Sequence, residues 1–174
     1  TIDKAKNLVK NVPVFVEAVA VTVPDNLSAV LKIDREISPD IIQIHGEKLD
    51  LRTLRRSLSR PKLVKTVNVK REKMNFNLKD IKFLDAVLLD SVAEGKLGGT
   101  GIIHDWKTSC QFKKEIDPKP LILAGGLTPE NIGDAISVVK PYAVDVSTGV
   151  EQRPGVKDAN KIYQFVKKVR NASQ

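Results

Sequence analysis

The order of its apolar segments constrains this chain most. Short runs rich in Val, Ile and Leu alternate with stretches whose apolar residues recur at helical spacing, the pattern of repeated β/α units around a parallel sheet. Thr1 is placed to cap a helix with Ile2, Ala5, Leu8 and Val9 on one face, and Pro13 ends it. Val14 to Val23 reads as a buried strand, and Asp25 as the cap of a helix carrying Leu27, Val30 and Leu31. Further strands are expected at Ile41–His45, Leu63–Val69, Ala86–Leu89, Leu121–Ala124 and Ala143–Val146. Between them, Leu51, Leu54 and Leu58 follow helical spacing, and a short helix falls around Asp80–Leu84. Asp105 can cap a helix running through Cys110 to Ile116. Thr128-Pro129-Glu130 reads as a helix start with Thr as cap and Pro at the first position, and Asp158 begins a closing helix with Ile162 and Phe165. The result is six strands in regular β/α order with no linker, one domain over residues 1–174 that opens on a helix.

At 174 residues the chain suits one domain, yet a complete (β/α)8 barrel typically needs about 250. No long uncharged apolar run suggests a membrane span, and residues 1–20 lack the pattern of a secretory leader. The net charge is +8, but Lys and Arg are scattered, often beside Asp or Glu, and no nucleic-acid motif accompanies them. A positive field that draws in an anionic small molecule fits better than a nucleic-acid partner. Cys110 is the only cysteine, so no intramolecular disulfide forms and a reducing cytoplasm is expected. With His45 and His104 it makes no metal-ligand spacing.

Active groups in parallel α/β folds lie at the carboxyl ends of strands. Those ends offer His45 and Gly46, Asp90 and Ser91, Gly125 and Gly126, and Ser147, Thr148 and Gly149. Glycine lets backbone N–H groups approach a phosphate closely, so the last two groups read as a phosphate site or else as two ordinary glycine turns. Asp90 closes an apolar strand; its carboxyl is either a general acid with a raised pKa or a cap for the loop that follows. Gln43 and His45 alternate onto one side of their strand, as a hydrogen-bonded core pair or as ligand contacts. Gly98, Gly99, Thr100 and Gly101 form a lid or a merely flexible loop, and no Lys-Ser/Thr follows to make a Walker A motif. Cys110, inside a helix near Trp106, reads as a buried inert thiol, and Lys65 is the one lysine inside a strand.

Three motifs then carry a resemblance: "LAGGLTPENIGDAI" at 123–136, "KPYAVDVSTGVE" at 140–151 and "PGVKDANKI" at 154–162. With "IIQIHGE" at 41–47, "LLDS" at 88–91 and "GGTGIIHDW" at 98–106, the chain resembles the phosphoribosylanthranilate isomerases of tryptophan biosynthesis. The resemblance implies a (β/α)8 TIM barrel with six of its eight strands present. It also implies an Amadori rearrangement of N-(5-phosphoribosyl)anthranilate, a phosphosugar, with no cofactor and no metal. Asp90 would be the general acid. Gln43, His45, Gly125, Gly126, Asp145, Ser147, Thr148 and Gly149 would bind substrate, with 98–101 as the lid. A homodimer and a cytoplasmic location are in keeping with it. The family's cysteine base, in a "KICG" motif on its first strand, and its "S-x-R" arginine have no counterpart in residues 1–174, so the chain is expected to be N-terminally incomplete. The alternatives are another phosphosugar-binding barrel enzyme, with Lys65 as the residue to test for Schiff-base chemistry, or an inactive phosphate-binding relative.

Overall fold

The computed structural model describes residues 1–70, 73–74, 76–91 and 105–172. In chain order the elements are α1 (Ile2–Lys10), β1 (Val19–Thr22), α2 (Leu27–Ile37), β2 (Ile41–Ile44), α3 (Leu51–Ser57), β3 (Lys62–Lys70), β4 (Lys73–Met74) and a 3-10 helix (Leu78–Phe83). There follow β5 (Ala86–Ser91), α4 (Trp106–Ile116), β6 (Leu121–Leu123), α5 (Ile132–Val139), β7 (Ala143–Val144), a 3-10 turn (Thr148–Val150), β8 (Glu151–Arg153), β9 (Val156–Lys157) and α6 (Ala159–Ala172). The chain divides into two compact units, one of residues 1–66 and 77–87, the other of 67–76 and 88–174.

In the first unit β1, β2 and β3 pair in parallel, with Val21 opposite Gln43 and Gln43 opposite Val64. Ile42, Ile44, Leu54 and Leu63 are buried there, each fully buried side chain of that size contributing about 1.5–3 kcal/mol. Asp85 ties the entry to β5 into this unit: its Oδ2 accepts from the Leu63 amide at 2.7 Å and from Arg55 Nη1 at 2.9 Å.

In the second unit β6 and β7 pair in parallel, and the Ala124 amide donates to the Leu89 carbonyl at 2.8 Å. Leu88, Leu89, Leu121, Leu123 and Ala135 are buried, with Phe112 and Ile116 of α4. β8 and β9 form an antiparallel hairpin after the last parallel strand, and β4 adds an antiparallel pairing to β3.

Several caps lie where expected. Thr1 Oγ1 accepts from the Lys4 amide, Asp105 from Lys107, and Asp158 from Asn160 and Lys161. Other expectations need correction. Val14 to Val23 is not one buried strand: only Val19–Thr22 is extended, and Val14, Phe15, Val16, Val19, Val21 and Val23 are exposed. Pro13 and the positive φ of Phe15 (71°) keep the first half of that run irregular, and among the described strands β1 pairs only with β2. Asn26, not Asp25, caps α2, because its Oδ1 takes the Ala29 amide while Asp25 pairs with Lys48 at 2.5 Å. Thr128-Pro129-Glu130 forms a turn, and α5 begins after Asn131. Cys110 is half-buried rather than buried, with Sγ donating to the Val138 carbonyl at 3.3 Å.

Candidate active site

The second unit gathers most of the expected residues. Asp90, Gly125, Gly126, Asp145, Ser147, Thr148 and Gly149 line one pocket with Ala124, Leu127 and Val146. Three strand ends build it. β5 runs Val87, Leu88 and Leu89 through the core, so Asp90 arrives buried behind an apolar strand. β6 ends in Gly125 and Gly126, whose φ values of 86° and 64° are left-handed. After β7, the Asp145 amide still donates to the Leu123 carbonyl at 2.9 Å before the chain turns at Ser147 into the 3-10 turn.

Two of the glycines have no room for a side chain. A Cβ on Gly125 would meet the Ser91 backbone nitrogen and lie 2.7 Å from Ser91 Cβ. A Cβ on Gly149 would run into the Leu127 carbonyl oxygen, with the carbonyl carbon at 2.9 Å. The two turns are therefore packed backbone on backbone beside the pocket.

Two residues outside the expected set hold these turns. Asn131 Nδ2 donates to the Gly126 carbonyl at 2.9 Å, while its Oδ1 accepts from the Thr128 amide at the same distance. Lys157 Nζ, from the β8–β9 hairpin, donates to the Ser147 carbonyl at 2.8 Å and to Ser147 Oγ at 3.3 Å, and pairs with Glu151 at 3.0 Å. Both lie inside motifs already noted, but neither looks like a ligand residue. They act on loop carbonyls, which a side-chain pattern does not display.

The electrostatics single out Asp90. Burial first, and then the negative charge of Asp145, push its carboxyl up to about 6, against a lowering hydrogen bond from the Ser91 amide. Asp145 reaches water, yet the protein around it raises its carboxyl too, with the Lys157 ammonium pulling the other way. A carboxyl near 6 can hold a proton at neutral pH and give it up, as a general acid must.

The remaining expected residues sit in the first unit. Gln43 and His45 do face the same way, with Gln43 Nε2 3.3 Å from His45 Nε2. Gln43 is buried, and Thr66 of β3 joins the pair. Burial and the Lys65 ammonium hold the His45 imidazole below its ordinary pKa. Gly98, Gly99, Thr100 and Gly101 lie outside the described residues. Cys110 lines a different cavity, between α4 and α5, with Lys113, Lys114 and Lys140. Among the described residues no group of three His, Cys, Asp or Glu could hold a metal ion, and no helix is long and apolar enough to cross a membrane.

Comparison with known proteins gives a consistent answer. The family model for N-(5'-phosphoribosyl)anthranilate (PRA) isomerase matches residues 1–168. N-(5'-phosphoribosyl)anthranilate isomerase 1 of Methanosarcina mazei is 38% identical, with 98% of this chain and 79% of the relative covered. The crystal structure of phosphoribosyl anthranilate isomerase from Thermotoga maritima superposes with a TM-score of 0.81 at 31% identity, covering 98% of this chain and 81% of that one. A phosphoribosyl anthranilate isomerase in complex with reduced 1-(o-carboxyphenylamino)-1-deoxyribulose 5-phosphate superposes with a TM-score of 0.77 at 29% identity, covering 98% and 80%. The fold is that of a (β/α)8 TIM barrel, with six of the eight strands in this chain. Six parallel strands in β/α order and a match to one family over residues 1–168 together settle the membership: the chain belongs to the N-(5'-phosphoribosyl)anthranilate isomerase family.

Proposed function

We propose that Asp90 is the general acid of an Amadori rearrangement, and that the turns at Gly125-Gly126 and Ser147-Thr148-Gly149 hold the substrate's phosphate. The reaction itself comes with the family: isomerisation of N-(5'-phosphoribosyl)anthranilate to 1-(2-carboxyphenylamino)-1-deoxyribulose 5-phosphate, in tryptophan biosynthesis. Backbone amides fix the phosphate, which orients the furanose and leaves its ring oxygen to meet the acid. Asp90 gives its proton to that oxygen as the C1–O bond breaks, and the anthranilate nitrogen supplies the electron pair that forms the C=N bond. A base then takes the C2 proton, the electrons move to the nitrogen, and the enol tautomerises to the ketone.

One observation carries this reading: the raised Asp90 carboxyl, about 6, lines the same pocket as both glycine turns. With that value about one molecule in ten carries the proton at pH 7, enough for acid catalysis. The C2 base is not assigned to Cys110, whose Sγ is engaged with Val138 of α5 and which does not line the Asp90 pocket. Asp145 joins the turns as a substrate contact in the pocket, and Gln43 and His45 are further candidate contacts in the first unit. A cytoplasmic location accords with a single cysteine, and a homodimer with a dimeric relative from Thermotoga maritima.

Asp90→Asn tests the assignment. Turnover falls by about 10²–10⁴-fold while the reduced product analogue binds within a few-fold of wild type. Turnover that survives in Asp90→Asn removes Asp90 from the chemistry.

A further inference from the structure

Asn131 stands at the start of α5, where a short carboxamide ordinarily caps helix amides, yet its side chain makes no such bond. It reaches back instead. Nδ2 donates to the Gly126 carbonyl and Oδ1 accepts from the Thr128 amide, both at 2.9 Å. One partner can only accept and the other can only donate, so the carboxamide has a single orientation. The residue forgoes a helix cap and closes its two bonds around Leu127.

Leu127 lies between those two bonds, lines the Asp90 pocket and is 2% exposed. Its N–H has no acceptor among the described residues. A buried backbone donor is nearly always paired, so an unpaired one on a residue that lines a pocket points to a ligand atom. In a trans peptide the carbonyl and the N–H leave on opposite edges. By holding the Gly126 carbonyl, Asn131 therefore sets the Leu127 N–H on the other edge. The peptide needs holding, because Gly126 has a φ of 64° and no Cβ to resist rotation. Turned over, it would set a carbonyl oxygen where the N–H now stands, and that oxygen repels an anion.

We propose that Asn131 is a positioning residue that locks the Gly126–Leu127 peptide, so that the Leu127 N–H donates to one oxygen of the substrate's phosphate. The donor role rests on the reading of the glycine turns as a phosphate site; the peptide lock rests on geometry alone. The arrangement suits a phosphate monoester, whose outer oxygens accept. A ligand group that can only donate, such as an ammonium, leaves the Leu127 N–H unpaired and is disfavoured.

The sequence makes a direct test available. Gly126-Leu127 is its one Gly-Leu pair, so protein labelled with ¹³C-carbonyl glycine and ¹⁵N-leucine gives a single carbonyl–amide NMR crosspeak that reports this peptide alone. In Asn131→Ala the Gly126 carbonyl carbon moves upfield as its hydrogen bond is lost. A carbon that stays in place in the folded variant overturns the lock. Asn131→Ala also binds the reduced product analogue about three- to tenfold more weakly, with affinity for the dephosphorylated analogue unchanged. Equal weakening of both marks a merely structural role and overturns the positioning role. If Asn131→Ala does not fold, Asn131→Asp gives the same readings, because it keeps the acceptor for the Thr128 amide and cannot donate to Gly126. In the wild type, saturating analogue moves the Leu127 amide proton downfield and the dephosphorylated form does not. If dephosphorylation weakens binding but the crosspeak never moves, Leu127 is not the donor, and the phosphate reading of the turns stands without it. If dephosphorylation leaves affinity unchanged, the phosphate reading itself falls and takes the donor role with it.

Discussion

Asp90 and Asp145 stand two strands apart at the carboxyl ends of β5 and β7, on one pocket, and the charge of Asp145 helps lift the Asp90 carboxyl to about 6. Between them lies the end of β6, where Gly125 and Gly126 take left-handed backbone that keeps side chains out. Asp90 and both glycine turns thus line one pocket. Removing the second charge while keeping its shape, with Asp145→Asn, lowers the Asp90 midpoint. Burial, the larger cause, remains, so the midpoint stays above an ordinary aspartate. A carboxyl-detected titration of the variant reads this directly.

The raised carboxyl sets a pH dependence for activity. A general acid must carry its proton in the free enzyme, so kcat/KM falls as pH rises through about 6, with a slope approaching one decade per unit. In Asp145→Asn this limb moves to lower pH. A pH profile of kcat/KM for both proteins checks the pair.

The same shift makes a statement about stability with the opposite sign from an ordinary ion-paired aspartate. The folded pKa, about 6, lies above the ordinary 3.8, so the folded state binds the proton more tightly. The stabilisation is fully present below about 3.8 and is lost as pH rises through about 6. Asp90→Asn, which cannot ionise, is then more stable than wild type by about 1–2 kcal/mol at pH 8, allowing for solvent screening. That gain vanishes toward pH 4. Urea melts at the two pH values check it.

The glycine turns, proposed above to hold the phosphate, make a steric prediction. Gly125→Ala forces a Cβ against Ser91 on a backbone with φ of 86°, and Gly149→Ala forces one against Leu127. Backbone cannot step aside as a flexible side-chain tip can, so each substitution costs about 1–3 kcal/mol. Each also weakens binding of the 5-phosphate. Gly133→Ala is the control, because nothing lies within 4 Å of a Cβ there and an Ala in α5 favours helix. Thermal melts and calorimetry with the reduced product analogue separate the three.

Lys157 predicts a split between binding and chemistry. Its ammonium holds the Ser147 carbonyl and hydroxyl, and among the described residues it makes no hydrogen bond or ion pair with Asp90. Lys157→Met should raise KM by about three- to tenfold, with kcat changed little, and Lys157→Arg should recover part of it. Steady-state kinetics decides between this and a purely structural role, which would lower soluble yield without altering KM.

Much of this was legible in the residues, for identifiable reasons. β5 is a continuous apolar run ending in one carboxylate, and burial of the run drags Asp90 in with it. Thr1, Asp105 and Asp158 announce their helices because a short oxygen-bearing side chain before an apolar periodicity has one local use. Val14–Val23 misled because apolar composition reports a preference for burial, whereas the irregular backbone after Pro13 and the single partner of β1 decide exposure. Thr128 does bond locally, to the Glu130 amide, but Asn131 competes by bridging Thr128 and Gly126, and the helix starts later. Thr66 stayed hidden because its contact depends on strand register: β3 pairs with β2 so that Gln43 stands opposite Val64, and that alignment brings Thr66 to His45.

The account turns on the protonation of one carboxyl. A ¹³C titration of the Asp90 side chain, assigned with Asp90→Asn, measures it in the absence of any substrate. The account predicts a midpoint at about 6, falling when Asp145 is neutralised. A midpoint near the ordinary 3.8, unmoved by Asp145→Asn, would leave Asp90 ionised at working pH and contradict its place as the acid.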